Sequence, residues 1–174
     1  TATKSVVGYG SFTDTSEFAQ SLSAVATTSG VLLVDTASDT SDGDTTSITT
    51  LLGNKGADGF ISLREAITAA NNTANVGGVA DTINFGIAGA GVHTITLATA
   101  LPDVTDGVLI NASTDDSFAA NGNAPAIVLD SSGQSGAEVL RLSSTADGST
   151  IRGLAIWSFS NTGIQIDANS DGNT

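Results

Sequence analysis

The 174-residue sequence contains no cysteine, no methionine and only two prolines. It has five lysines and arginines in total, compared with 18 acidic residues. Without cysteine there are neither disulfide bonds nor thiolate metal sites. The formal charge of −13 argues against nucleic-acid or anionic-membrane binding and favours a cation as charged partner. Since no apolar run approaches the ~20 residues that cross a bilayer, we expect no membrane span. The start at Thr1-Ala2-Thr3 indicates a processed or excised piece of a longer protein.

Aromatic residues are also scarce, at 5%, whereas glycine is abundant, with 20 residues. Small and β-branched apolar side chains favour thin, regular sheet layers, and Gly, Asn, Asp and Ser supply the turns. We expect one folded unit in three parts. Residues 1–30 form an N-terminal extension with a short helix at about 15–23, residues 31–80 hold a strand, an acidic loop and a helical cap, and residues 81–174 form β-coils.

Short strand candidates recur from Asp81 onward, and their spacing suits three-sided coils of about 22 residues as well as a β-sandwich. Residues 149–156 and 161–166 read as two successive sides of one coil, with aliphatic side chains inward at alternating positions. Residues 170–174 resemble the turn before another side. These features favour an all-β, right-handed parallel β-helix, a pectate-lyase-like solenoid, with a short N-terminal α-helical cap. Its open C-terminal coil would fray or self-associate.

The strongest helix signal covers residues 62–71. Ser62 and Glu65 have capping-box spacing, and an apolar stripe runs along one side of the helix. The stripe consists of Leu63, Ala66, Ile67 and Ala70. Such a helix needs a hydrophobic surface to cover.

The stretch Asp58–Ile67 resembles the "SLREAI" signature found at the start of right-handed parallel β-helix regions in large bacterial surface and secreted proteins. Ile61 stands where that signature more often has Cys. Residues 34–36, 81–85 and 91–97 also resemble the pattern. The resemblance implies that the 62–71 helix caps the solenoid and that the chain is a structural or adhesive module located extracellularly or on the cell surface. It supplies no reaction.

A calcium site is the sharpest chemical hypothesis. Residues 54–65 can be aligned with the twelve-residue EF-hand loop, with Ca²⁺ donors at Asn54, Asp58, the Phe60 carbonyl, Ser62 and Glu65. Two expected carboxylates are missing from this alignment, and a nearby acidic loop could supply donors through Asp39, Asp42 and Asp44. The alternative is that Asp58 and Gly59 form a turn while Ser62 and Glu65 only cap the helix.

Other side chains have both a functional and a structural interpretation. Arg64 could pair with the acidic loop, and His93 is interpreted as a strand-end residue. Trp157 and Phe159 could stack on carbohydrate or pack between coils. Self-association could use the open coil end or the flat side that carries Thr94 and Thr96.

An enzyme of the polysaccharide lyase or hydrolase type is the main rival to a structural module. Such an enzyme needs carboxylates, with or without arginine, converging on one groove. The coil carboxylates lie mostly in turns, and Arg141 and Arg152 are about half a coil apart, so we expect them on different sides. The sequence therefore favours a structural, non-enzymatic module with a carbohydrate or cell-surface ligand.

Overall fold

The computed structural model describes residues 29–134, 136 and 138–174. All but the last two residues of the expected N-terminal extension, including its helix at 15–23, lie outside these ranges. The described residues form nine short strands: β1 (Val31–Val34), β2 (Asp81–Phe85), β3 (His93–Thr96), β4 (Val108–Asn111), β5 (Ile127–Asp130), β6 (Leu140–Leu142), β7 (Thr150–Arg152), β8 (Leu154–Trp157) and β9 (Ile164–Ile166). They also form helices α1 (Ile48–Gly53), α2 (Leu63–Asn71) and α3 (Asp116–Ala120), and a 3-10 helix, Ala112–Thr114.

The strands form three small sheets, and neighbouring strands within each sheet are parallel. Their orders are β1-β2-β4-β7, β3-β5-β8 and β6-β9. From β2 onward, each strand belongs to a different sheet from the strand that follows it in the chain. Parallel strands need such crossover connections, because a tight hairpin can join only antiparallel ones.

The expected fold class, an all-β right-handed parallel β-helix, is wrong. The described residues combine short strands in three small parallel sheets with three α-helices, so the content is mixed α/β and a solenoid is not shown. One reason is visible at Asp115, where the sequence analysis predicted no helix. The Asp115 side chain accepts a hydrogen bond from the Ser117 backbone N–H and caps α3 between β4 and β5.

A second difference concerns residues 149–156, which were expected to form one side of a coil. The structure divides this stretch into β7 and β8, which belong to different sheets, with Gly153 between them. Gly153 has φ +77°, and a Cβ atom there would lie 2.5 Å from the Ser113 backbone nitrogen. Glycine is therefore required at this corner both by its backbone conformation and by the lack of space.

Helix α2 covers the sheets at the β1 edge, and we call this region the closed end. The helix contacts β1 and β2 and also contacts α1, which itself contacts β1. The expected apolar stripe is buried, together with Ala69. The expected Ser62–Glu65 capping box is also present, with hydrogen bonds in both directions. Beneath the helices, Leu32 and Val34 are fully buried.

The three sheets end at strands β7, β8 and β9, and the side chains of these last strands are less buried than the residues aligned with them on the preceding strands. Leu32, Ile83 and Ile110 are aligned across β1, β2 and β4 and are fully buried, whereas Ile151, next in register on β7, is only partly buried. Leu142 on β6 is 1% exposed, but its partner Ile166 on β9 is 53% exposed. Five side chains on these strands are only partly covered, and we call them together the open end. They are Ile151, Leu154, Ile156, Ile164 and Ile166.

Candidate functional site

The acidic loop, residues 35–44, is bound to the N-terminus of α2 through the Glu65 carboxylate. Glu65 Oε1 accepts hydrogen bonds from the backbone N–H groups of Asp42 (2.8 Å) and Gly43 (2.7 Å). Glu65 Oε2 accepts from the Ser62 backbone N–H (2.9 Å) and hydroxyl (3.0 Å). Glu65 is 1% exposed. Hydrogen-bond donors from two chain segments therefore compensate the cost of burying this carboxylate.

The Asp42 carboxylate binds the segment before α2. Its Oδ2 accepts from the backbone N–H groups of Ala57 (2.8 Å) and Asp58 (3.3 Å). Gly56 permits this approach, because it has φ +87° and a Cβ atom there would lie 2.2 Å from Asp42 Oδ1. The Asp42 side chain thus holds the 56–58 turn against the loop.

Arg64 pairs with the acidic loop, as the sequence suggested. Its Nε and Nη2 donate to the two carboxylate oxygens of Asp39, at 3.0 and 2.8 Å. Its Nη1 and Nη2 also donate to the carbonyl oxygens of Ala100 (2.8 Å) and Thr99 (2.9 Å). The Asp39 carboxylate additionally accepts from the Ala98 backbone N–H. This side chain therefore joins the loop, α2 and the segment after β3.

Two further carboxylates of the loop have partners within the protein. Asp35 accepts from Lys55 Nζ (2.9 Å) and from the Ile61 backbone N–H (2.6 Å). Asp44 accepts from the Thr46 hydroxyl and backbone N–H. These two bonds, the hydroxyl bond first, lower the pKa of Asp44 below its ordinary value.

The expected calcium donors occupy separate local positions. Asn54 is the C-cap of α1, and its side-chain oxygen faces the Gly56 N–H at 3.4 Å. Asp58 accepts from the Phe60 N–H, which is a turn contact. Ser62 and Glu65 bond to each other in the capping box. Among the described residues, no group of three or more His, Cys, Asp or Glu side chains is arranged to hold a metal ion. Calcium binding through these donors, with or without Asp39, Asp42 and Asp44, stays a prediction.

One buried cluster was not identified from the sequence. His93 Nε2 lies 3.2 Å from Ser117 Oγ and 3.9 Å from Asp115 Oδ1, which places Ser, His and Asp side chains together. Both neighbours face the same ring nitrogen, whereas a nucleophilic triad uses the two nitrogens for different partners. Ser117 is also buried, and Asp115 accepts from the backbone N–H groups of Ile87 and Ser117. The arrangement is that of a packed polar contact beneath α3.

Arg141 and Arg152 lie on different sheets, as expected. Arg141 bonds to Asp167 through Nε and Nη2 and to Asp103 through Nη1 (3.1 Å). The Asp167 hydrogen bond is the main cause that raises the pKa of Arg141, and the same bond lowers the pKa of Asp167. Arg152 Nε donates to Asn111 Oδ1, its neighbour across the β4–β7 pair. The Arg141 guanidinium is therefore already paired with two carboxylates, those of Asp103 and Asp167.

Two of the exposed aromatic residues lie near the open end. Trp157, the last residue of β8, is 57% exposed, and Phe159 follows it and is also exposed. A shallow apolar pocket lies nearby and is lined by Leu142, Ile151, Ile164, Ile166, Asn173 and Thr174. The sequence pointed to an open coil end, but it did not identify which side chains would line it.

Comparison with protein-family models, with curated proteins and with solved structures finds no match for this chain. Within the ranges that the structure describes, no helix is long and apolar enough to cross a membrane.

Proposed function

We propose that this chain is a structural or adhesive module of a large secreted or surface-anchored bacterial protein. One observation supports it above all. Arg64, Arg141 and Arg152 each form hydrogen bonds to chain segments that are distant in sequence. We call these three side chains the arginine braces, because they hold those segments together. The resemblance of residues 58–67 to the signature of bacterial surface and secreted proteins supports the extracellular location.

The rival function is that of a polysaccharide lyase or hydrolase. The group that would serve it best is Arg141 with Asp103 and Asp167, because these side chains are partly exposed and adjacent. Arg141, however, contacts both carboxylates directly, and these contacts leave no space for a sugar between the charges. A brace between β6 and its neighbours accounts for this geometry better than a substrate groove does.

Activity assays separate the two functions. Wild-type protein is incubated with pectate, alginate and hyaluronate, and both unsaturated products and new reducing ends are measured. We expect no turnover above the buffer control. Turnover that disappears in Asp167→Asn, while the far-ultraviolet circular dichroism of that variant stays unchanged, would establish an enzyme and refute the module.

The location can be tested in the source bacterium. An antibody against the chain should detect it in the medium or on intact cells, where added protease should remove it. Detection only inside the cells, protected until they are lysed, would contradict the proposal. A cytoplasmic protein of the same bacterium, blotted in parallel, controls for lysis.

A further inference from the structure

The sheet β3-β5-β8 has an outer face as well as a face that lies on the core. Ile95, Leu129 and Ile156 are aligned across its three strands and pack in the core. The residues that follow them are aligned in the same way and point to the opposite face, because side chains alternate along a strand. We call these three residues the outer row. They are Thr96, Asp130 and Trp157.

The exposure of the outer row does not come from a missing neighbouring strand. Asp130 lies on β5, which has β3 on one side and β8 on the other, and Asp130 is still partly exposed. Thr96 is exposed as well, and Trp157 is 57% exposed. A further strand beside β8 would extend the sheet sideways, at a spacing of about 4.8 Å, and would leave its outer face open. The outer row is therefore a surface of the sheet itself.

Hydrogen bonds fix the positions of Trp157 and Asp130. The Trp157 carbonyl accepts from the Ser131 N–H (3.2 Å) and hydroxyl (3.3 Å), which joins the end of β8 to the residue after β5. The Asp130 carboxylate accepts from the Ser132 N–H (3.0 Å) and hydroxyl (3.3 Å). Each carboxylate oxygen has a second lone pair and can accept a further hydrogen bond. The outer row thus combines an aromatic ring and an acceptor on two adjacent strands.

The charge around the outer row favours a neutral ligand. Residues 82–102 and 117–129 contain no Asp, Glu, Lys or Arg, and Asp130 is the only one of these residue types in β3, β5 and β8. An anionic ligand would be repelled by Asp130 and by the overall charge of −13. A neutral ligand with hydroxyl groups has no such penalty, because its hydroxyls donate charge-assisted hydrogen bonds to the carboxylate.

A sugar fits both the aromatic ring and the carboxylate. One face of a pyranose ring consists of C–H groups, which pack against the partly negative face of an indole ring, while its hydroxyls project from the rim. Asp130 lies one strand spacing, about 4.8 Å, from Trp157, so a single sugar ring can contact both. We propose that the outer row binds a neutral sugar, which stacks on Trp157 and donates hydroxyl hydrogen bonds to Asp130. This inference rests on the proposed function, because it names the ligand class of an adhesive module.

A fluorescence titration tests the proposal, because the chain contains a single tryptophan and its emission reports on Trp157 alone. Wild-type protein is titrated with three neutral oligosaccharides, which are cellohexaose, mannohexaose and N-acetylchitohexaose. At least one of them should change the emission and reach saturation. Hexagalacturonate, which is anionic, and choline, which is cationic, are the charged comparisons, and neither should change the emission at the same concentrations.

Variants of the outer row are compared by affinity electrophoresis in a gel that contains the bound neutral sugar as a polymer. Trp157→Ala should weaken binding at least about tenfold, because it removes the stacking surface. Asp130→Asn should weaken binding by about tenfold, since it removes the charge from the acceptor. Trp157→Phe keeps an aromatic face and should retain part of the affinity, and it remains informative if Trp157→Ala does not fold.

Two matched controls lie outside the outer row. Phe60→Ala removes another exposed aromatic side chain, since Phe60 is 48% exposed. Asp58→Asn changes a carboxylate that, like Asp130, accepts from the backbone N–H two residues later. Both variants should bind the sugar as wild type does. Far-ultraviolet circular dichroism establishes that every variant compared is folded.

Three outcomes would overturn the proposal. The first is an emission that none of the neutral oligosaccharides changes. The second is binding of hexagalacturonate or choline as tight as that of the neutral sugars. The third is wild-type affinity in folded Trp157→Ala and Asp130→Asn, which would place the contact elsewhere. Each would leave the location and activity tests of the module unaffected, whereas cleavage of a bound oligosaccharide would refute the structural module and leave the sugar contact standing.

Discussion

At the closed end, Leu32 and Val34 of β1 lie under α2 and are fully buried, whereas at the open end Ile164 and Ile166 of β9 remain exposed. The closed end is also joined by polar contacts, since the buried Glu65 carboxylate accepts four hydrogen bonds from Asp42, Gly43 and Ser62. Stability in this molecule should therefore be concentrated at the closed end.

The largest effect should come from Glu65→Ala. This change removes a buried acceptor and leaves the N–H groups of Asp42, Gly43 and Ser62 without their partner. We expect a loss of about 3–5 kcal/mol in the free energy of unfolding, measured by urea denaturation. Glu138→Ala, in the loop before β6, is the control and should change stability by no more than about 0.5 kcal/mol. Equal losses in both variants would contradict a special role of the closed end.

A second pair of variants compares two aligned side chains on adjacent strands. Leu142→Ala should cost about 2–4 kcal/mol, because Leu142 is buried and its removal leaves a cavity. Ile166→Ala, its partner on β9, should cost about 1 kcal/mol or less, since the site is already open to solvent. Both are measured by thermal unfolding at the same protein concentration. Similar costs would mean that the open end is covered in solution.

The sequence predicted local structure well wherever a short-range rule applied. The capping box at Ser62 and the buried stripe of α2 are local features, and the structure contains both. Short strands also recur from Asp81 onward, as the sequence predicted, although one expected side is divided between β7 and β8.

The fold class and the polar cluster could not be derived in the same way. The corner at Gly153 depends on a close approach to Ser113, forty residues earlier in the chain. The Glu65 bonds to Asp42 and Gly43 likewise join segments more than twenty residues apart. Periodicity and composition contain no information on such contacts, which depend on how the sheets and loops pack. The sequence therefore identified the acidic loop, the helix and the pairing of Arg64 with the loop, but not the Glu65 bonds that join the two segments.

The next comparison concerns two arginine braces. Arg64→Ala should cost about 2–3 kcal/mol, since its guanidinium is largely buried and makes four hydrogen bonds, two of them to Asp39. Arg141→Ala should lower the melting temperature much less, because Arg141 is more exposed and its ion pairs are screened by solvent. Raising the salt concentration should reduce the Arg141 effect further and change the Arg64 effect little. An Arg141 loss as large as the Arg64 loss would contradict this ranking.

The smallest effect on stability is expected at Asp81, where the substitution should stabilise the protein, whereas the preceding ones destabilise it. Burial raises the pKa of Asp81, and Asp106 adds a like charge, while the Gly30 N–H bond to Oδ1 (2.6 Å) acts in the opposite direction. Among the residues that the structure describes, none forms a hydrogen bond with Asp81 Oδ2. The folded state therefore binds a proton more tightly than the unfolded state. The Asp81 contribution to stability is greatest below the ordinary carboxyl pKa of 3.8 and declines as pH rises towards the raised value.

Asp81→Asn should accordingly be about 1 kcal/mol more stable than wild type at neutral pH, with an advantage that disappears below pH 4. Asp130→Asn provides the opposite case. Hydrogen bonds, chiefly from the Ser132 N–H, lower the pKa of Asp130, so its ionised form is favoured in the folded state. That variant should lose stability at neutral pH relative to wild type and recover as pH falls through the ordinary carboxyl range. Melting temperatures of the three proteins between pH 3 and pH 8 measure both trends, and parallel curves would rule out a buried, poorly solvated Asp81.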